Sequence, residues 1–598
     1  MKKTRYSVKT VCLLAMCGVA LFANAQDDKK KEQDLNRQMT LEREYDPSVQ
    51  DASKVNTLPQ VKEPEVRKIP IDYSDYTLAM DPAQQISVLP SGNIMTQMDY
   101  NKRRGYLRLG AGTYMNLNGD FGYHALSTAT DQLSIAFSHR SANGNVKYIQ
   151  LPDEKVKAKI NDNLGGLKYA HAFEKASLNV GLNYGYSAYN YYGLSMSPSS
   201  SLPMQDLLNV ADRETNQVNQ TIAATLGVES KEDADLAYLV DLGFVNFSRK
   251  YGISKDTDGP KETTIEAKVN VSKRFNGDMR FGLEALVEYF NYSLPAEKAL
   301  PNGGLYICEF ENHAEVALHP YYEVEGENWK VRLGANVMLK TGDESLFMAT
   351  PNVAANFEVA DKTELYIKAN GKLYSNSMYE MSKINRYLPA EELTPSRNWL
   401  DGVLGIKSGV APGFWFDIFA GYKMTSDDVL FVPSRTFEEG GFGNFSEAMS
   451  GINTKQLFVG ASLKYSYQQL FELTLKGQYN NWKAEYGDEW IGFSDSSLEH
   501  AWGKPEMELN AGVMVRPMDK LAVALDYSLA TGRYTLLAGV DLYKMNNINE
   551  LNLTATYTLN DTFGFYAKVN NLLSQKYELY YGYPMQRLSA QVGVNINF

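Results

Sequence analysis

The residues with most potential for chemistry are six histidines, His124, His139, His171, His313, His319 and His500, and the carboxylates around them. His313 and His319 are six residues apart. On a strand that spacing puts them on one face but roughly 20 Å from each other, too far to share a metal ion without a bend. The sequence holds no His-Glu-x-x-His motif and no Cys/His cluster. Ser138 beside His139, and Asp495 and Ser497 near His500, have the residue types of a nucleophile and its base. Such neighbours arise often by chance, and a catalytic triad is defined by geometry. Polar wall residues are the expectation at all six histidines, with no catalysis, cofactor or metal. Gly110-Ala111-Gly112 sits inside an alternating segment with no following helix, so it is not a phosphate loop. Two other stretches are richer. Residues 425–451 mix Phe431, Phe437, Phe442 and Phe445 with Asp427, Asp428, Glu438 and Glu439, and residues 482–505 carry Trp482, Trp490 and Trp502. Aromatics of this kind stack on sugars or apolar ligands, and clustered acids can hold calcium. Aromatics seated at a membrane interface and solvated acids fit the same residues.

The compartment limits what these groups could do. Lys2, Lys3, Arg5 and Lys9 precede an apolar run, Val11 to Phe22, and Ala23-Asn24-Ala25 fits a small-x-small cleavage site. A signal peptide over 1–25 is expected, with Gln26 as the mature start. Its removal takes four basic residues from 59 and leaves 55 against 71 acidic ones, a net charge of −16. That balance argues against a nucleic-acid partner. Cys12 and Cys17 leave with the signal, so Cys308 has no intramolecular disulfide partner and is expected to be a small apolar filler. No later run of about 18 apolar residues suggests a transmembrane helix. Yet 40 Tyr and 25 Phe remain in a chain of mean hydropathy −0.36. A transmembrane β-barrel has this profile, because only alternate residues meet lipid and aromatics gather at both interfaces.

Alternation supports that reading. At 329–339 Trp329, Val331, Leu333, Ala335, Val337 and Leu339 alternate with Lys330, Arg332, Gly334, Asn336 and Met338. Segments 264–272, 457–467, 471–479, 507–515, 521–529 and 551–559 behave the same way. About 23 such segments occur, most of about 9 to 14 residues. Sandwich strands average about five or six, whereas a tilted membrane strand needs about 9 to 11. Long connections near 142–163, 190–214, 250–262, 293–305, 375–398, 424–454 and 482–505 alternate with short turns such as Asn276-Gly277-Asp278 and Pro517-Met518-Asp519. Barrels with long outer loops and short periplasmic turns show this rhythm. With both termini periplasmic the strand number is even. The weakest segment, 534–546, is then an outer excursion, leaving 22. The fold class expected is all-β, a transmembrane antiparallel meander barrel over 101–598. Residues 26–100, with Pro59, Pro64 and Pro70, are expected to be a largely extended or disordered periplasmic segment.

The C-terminus adds a resemblance. Asn571-Leu572, Lys576-Tyr577, Gly582-Tyr583-Pro584, Arg587 and a last strand ending in Val594, Ile596 and Phe598 resemble the close of TonB-dependent outer-membrane receptors. The likeness covers about the last 95 residues, and the strand count extends it, since that family's barrel has 22 strands. It implies uptake or passage of a solute, an inner-membrane energy-coupling partner of the TonB type, and a terminal Phe598 read by the barrel assembly machinery. One departure stands out. The family carries a folded plug of well over 100 residues, and here only about 75 mature residues precede the barrel. The stretch LEREYDPSVQDASKVNTLP is similar to a segment of plugless barrels in Bacteroidota. Residues 39–49 are the best TonB-box candidate. A 22-stranded lumen without a plug must be filled by residues 26–100, by inward loops or by a separate plug-like protein. A second reading is a non-transport anchor or assembly partner of a periplasmic or surface complex.

Overall fold

Period-two alternation turns into a two-faced wall once successive strands pair. The computed structural model describes residues 103–194, 216–231, 236–252, 257–275, 277–299, 305–306, 308–342, 345–433, 445–486, 500–537 and 541–598. The expected signal peptide and N-terminal segment lie outside the described residues. So do Phe437, Glu438, Glu439, Phe442, Trp490, Asp495 and Ser497.

One 22-stranded antiparallel sheet closes on itself. It begins with Gly105–Gly112 and ends with Ser589–Asn597, and these two strands pair with Tyr106 opposite Asn597 and Gly112 opposite Gln591. Residues 534–546 stand outside the wall, where Tyr534–Leu537 and Asp541–Lys544 form a separate two-stranded hairpin. The excursion assigned from the sequence is therefore borne out.

Exposed apolar side chains repeat around the outer face, among them Leu182, Ile222, Leu242, Ile265, Leu333 and Leu457. In water this band would be an aggregation surface; against hydrocarbon it is the solvated state. The inner face carries Asp162, Asn219, Glu288, Asn336, Lys423 and Glu550 from the complementary positions. The barrel is of the outer-membrane type.

The two rims differ. At one, hereafter the turn rim, strands connect in a few residues, as at Asp519-Lys520 between Met507–Met518 and Leu521–Thr531. The other, the loop rim, carries the long connections. Three of these are shorter than the sequence suggested. The third strand runs to Lys147 and the fourth starts at Lys155, so the connection expected over 142–163 is only 148–154. Likewise Phe414–Pro433 and Ser446–Tyr467 take in much of 424–454, and Phe471–Glu485 extends into 482–505. The reason is physical. These strands continue beyond the hydrocarbon, where the outward residues are polar and the alternation fades, while backbone pairing persists.

Closure is tight. Gly105 and Phe598 exchange backbone hydrogen bonds of 2.8 and 2.9 Å, and the Phe598 ring lies 6.4 Å from Phe121 and 6.1 Å from Tyr123. On the inner face the Tyr566 ring covers the seam at Gly110 and Gly593. A Cβ would stand 2.0 Å from the Tyr566 hydroxyl at Gly110 and 2.3 Å from its ring at Gly593. Gly110-Ala111-Gly112 thus belongs to the wall.

Candidate functional site

The loop rim is closed from within by one connection. Residues 375–395 link the strands Thr363–Tyr374 and Ser396–Ala411, and they cross the mouth instead of staying beside their own strands. The helix Met378–Ile384 opens this lid. Ser377 caps it, accepting from the Glu380 N–H at 3.3 Å. From the wall, Glu262 accepts from the Ser377 hydroxyl at 2.9 Å and the Tyr379 N–H at 3.0 Å. A carboxylate on those first-turn donors also suits the helix dipole. Met381 and Leu388 are buried with Val429, on a strand well away from Glu262 in the barrel order.

Beyond the helix the chain reaches the opposite wall. Arg386 makes three contacts of 3.1 Å with the Asp162 carboxylate, which also accepts from Ser187 at 2.5 Å. Both partners are 31% exposed, so this ion pair is screened and contributes about 1 kcal/mol. Burial works against the Arg386 charge, but the carboxylate holds its pKa above the ordinary guanidinium value. The Tyr189 hydroxyl donates to the Arg386 carbonyl at 2.6 Å.

A second loop meets the first. Residues 571–588, before the last strand, send Tyr583 to stack on Tyr387 at 4.0 Å. The Tyr580 hydroxyl donates to the Ile384 carbonyl at 2.8 Å, and Gln150 donates to Glu578 at 3.1 Å. Tyr148, Tyr192, Leu194 and Tyr583 form a buried cluster with Tyr387 packed against it. Each aromatic pair of this kind adds about 0.5–1.5 kcal/mol beyond its buried area. Gly582 has φ +78°, and a Cβ there would lie 2.6 Å from the Leu194 carbonyl oxygen, so only glycine fits. Tyr379 also packs on Phe247 at 5.3 Å. The lid is thus tied to the wall at the fourth strand (Lys155–Ala172), the fifth (Ala176–Asn190), the seventh (Leu236–Arg249) and the eighth (Lys261–Phe275), and to the last loop.

The family-motif residues occupy this junction. Asn571, at φ 49°, donates to the Gln575 carbonyl at 2.9 Å and fixes the start of the loop. The Tyr577 hydroxyl donates to Glu550, and the Lys576 carbonyl accepts from Asn546 at 3.1 Å. The Pro584 carbonyl accepts from the Tyr192 hydroxyl at 3.4 Å, and Arg587 donates to the Ser574 carbonyl at 3.3 Å. Leu572 is exposed.

The sequence's other candidates disperse. His313 and His319 both face inward, His313 buried and 3.6 Å from Glu315, His319 bonded to Asn336 at 2.7 Å. Ser138 bonds Asp120 inside the barrel, while His139 faces outward and bonds Asn163. His500 stacks on Tyr534 at 4.0 Å. His124 bonds Ser134, and His171 bonds Asp131. Among the described residues no His, Cys, Asp or Glu group could hold a metal ion. Asp427 pairs with Arg397, and Asp428 with Lys504. Phe431 packs on Tyr580, Phe445 on Tyr191. Trp482 donates to the Pro505 carbonyl, and Trp502 is buried with Leu430, Ile452 and Leu536. Phe431 and Phe445 thus join the closure, while Trp482 and Trp502 pack among the strand ends of the loop rim. Cys308 is buried in an apolar cluster with Phe310 and Tyr292. The lid's tyrosines were missed in the sequence, although Tyr191-Tyr192-Gly193 and Tyr580-Tyr581-Gly582 repeat one motif and meet at the mouth.

Burial raises the carboxyl pKa of Glu380 and Glu391 in the lid, and of Glu578 in the 571–588 loop. Closure therefore favours their protonated forms. It is strongest below the ordinary carboxylate range and weakens as pH rises through the raised values. Burial also lowers the Lys383 pKa, an effect that belongs to the alkaline side. Open events in planar-bilayer recordings are expected to become more frequent as pH rises above the ordinary carboxylate range; frequencies that are flat or falling would contradict this.

No family model matches the chain, and no curated relative does. Solved structures do. The FrpB iron transporter from Neisseria meningitidis (F3-3 variant) superposes with a TM-score of 0.62 at 10% identity, covering 83% of this chain and 82% of that one. The ferric-catecholate import receptor Fiu from K12 E. coli gives 0.59 at 10%, over 83% and 82%. The copper transporter OprC gives 0.58 at 12%, over 83% and 80%. These are TonB-dependent receptors, transport proteins and not enzymes. At such identities the likeness is one of fold, and the barrel has the fold of that class.

Proposed function

We propose that this protein is a TonB-dependent-receptor-like barrel that passes a solute across the outer membrane, with a loop lid in place of a full plug. The observation that supports this most is the 375–395 connection, which spans the mouth and is held by an ion pair, a helix cap and stacked tyrosines. The lid combines exchangeable polar contacts with small separate apolar clusters, around Met381 and Leu388 and around Tyr387; we read that mixture as suited to opening and reclosing. In this reading the loop rim faces outward and the turn rim faces the periplasm. Residues 26–100 would be the segment that a TonB-type energy-coupling protein, or a separate plug-like partner, engages. Phe598 and the outward residues of the last strand serve the barrel assembly machinery.

Deleting residues 27–60 is expected to abolish energised uptake while the barrel still migrates as a folded species on unboiled gels. If instead a co-purifying protein is released and uptake and passive conductance stay unchanged, the chain is an anchor and the transport reading fails.

A further inference from the structure

Three carboxylates face one another across neighbouring strands on the inner wall beside the lid. Glu266 of the eighth strand stands opposite Glu288 of the ninth, Met279–Ser293. Glu288 in turn stands opposite Glu315 of the tenth, His313–Glu325. Ile265, Val287 and Leu318, of the opposite parity on each strand, are exposed toward lipid, so the three carboxylates point into the lumen. Like charges directly opposite one another destabilise a strand pair, and this row takes that penalty at both pairings. Lys340 of the eleventh strand, Trp329–Lys340, stands opposite Glu315 at the end of the row. Even so, among the described residues none of the three carboxylates is ion-paired with a lysine or arginine. Two more lysines come near, Lys372 over the Tyr374 ring at 5.0 Å and Lys383 of the lid over the Tyr379 ring at 4.1 Å. The lid brings a further acid, Glu380, to the same place.

The polar atoms beside the row lack a donor. His313, on the same face as Glu315, is 6% exposed and stacked on Phe290 at 4.7 Å. Its Nδ1 lies 3.0 Å from the Glu311 carbonyl. A carbonyl only accepts, so Nδ1 carries the hydrogen and Nε2 presents its lone pair. Nε2 has no hydrogen-bond partner, and neither has Glu315 Oε1, 3.6 Å away. Glu315 is 7% exposed, and its other oxygen already accepts from the Ser375 hydroxyl at 2.9 Å. Two buried acceptors thus face each other with nothing to satisfy them, a costly arrangement in a folded protein.

An ammonium group supplies what is missing. It brings positive charge and three N–H donors on one nitrogen, enough for His313 Nε2, Glu315 Oε1 and Glu288 together. Adjacent strands lie about 4.8 Å apart, close to the separation of two ammonium groups joined by a short methylene chain. A second ammonium would then fall between Glu288 and Glu266. Building on the transport reading, we propose that Glu266, Glu288, Glu315 and His313 form a lumenal binding station for a linear di- or polyamine, the class of solute this barrel passes. Glu266 and Glu288 are half-buried and meet the solute first. Ser375, where the lid connection begins, covers Glu315, so the inner end of the station is reached as the lid lifts.

The test is calorimetric titration of the full chain in detergent at low ionic strength, with spermidine, n-butylamine or Mg²⁺. Spermidine is expected to bind about tenfold or more tightly than either of the others. Glu288→Gln together with Glu315→Gln is expected to weaken spermidine binding about tenfold or more. Gln keeps the shape and relieves the like-charge contact, and heat-modifiable migration on gels checks that the barrel has formed. Glu472→Gln, at an inward acid 3.4 Å from Lys464, should leave the affinity unchanged. Equal affinity in wild type and the double variant would overturn the proposal. So would Mg²⁺ bound as tightly as spermidine, or an equal loss from Glu472→Gln, either of which would reduce the row to general charge attraction. Uptake of labelled spermidine by cells is read separately. Binding without uptake would support the station and count against the transport reading, whereas absence of binding would overturn the station whatever other solute is taken up.

Discussion

A barrel lacking residues 26–100 is expected to stay nearly silent in a planar bilayer, and to conduct steadily once residues 378–393 are also replaced by a short Gly/Ser linker. The rise should be on the order of tenfold or more, because a 22-stranded wall encloses an aqueous lumen far wider than any small solute. The expectation rests on where the lid goes. It leaves the wall between the thirteenth and fourteenth strands, bonds Glu262 on the eighth, packs near Arg249 on the seventh and clasps Asp162 on the fourth. Residues 571–588 then cover it from the seam side through Tyr580 and Tyr583. Arg386→Ala alone should give a partial effect, with brief openings, since it removes one of several independent ties. A large steady conductance before the lid is removed would mean that the lid does not obstruct the lumen. Silence after its removal would mean that other loops or a further segment fill the pore.

The lid also marks where the sequence stops being informative. The wall was legible because its signal is local: Trp329 to Leu339 alternate with period two, and a closed membrane barrel is the fold that requires so many such segments at that length. The hairpin at 534–546 was separable because an even count and the loop rhythm left it no place in the wall. The lid has no local signature. Arg386 meets Asp162 across 224 residues, Tyr580 meets the Ile384 carbonyl across 196, and Gln150 meets Glu578 across 428. The aromatics of 425–451 and 482–505 left a stacking ligand site and a membrane-interface seat both open, because stacking on a sugar and packing on another aromatic call for the same residues. Strand ends were misjudged for a related reason. Alternation records contact with lipid and not backbone pairing, so it vanishes at His139 and Asn161 although the ladder continues to Lys147 and Lys155.

Phe598 separates two properties that are easily confused. Its ring touches Phe121 and Tyr123 and is 49% exposed, and its backbone pairing with Gly105 does not depend on the side chain. Phe598→Ala removes roughly half the burial of one aromatic ring, about 1–2 kcal/mol. Spread over hundreds of ladder hydrogen bonds in one closed sheet, that loss should shift the melting temperature of barrel refolded in detergent by only a few degrees. In cells the expected effect is much larger, a drop of about tenfold in folded barrel at the outer membrane. Under the proposed assembly role the last strand is recognised before it has paired with the first, from the alternating Ala590, Val592, Val594, Ile596 and Phe598. Unboiled gels of membrane fractions, set beside melting curves of the refolded protein, measure the two effects separately. A large loss in both would make Phe598 an ordinary packing residue at the seam. A small loss in both would leave the alternation of the final strand, and not its terminal ring, as the assembly signal.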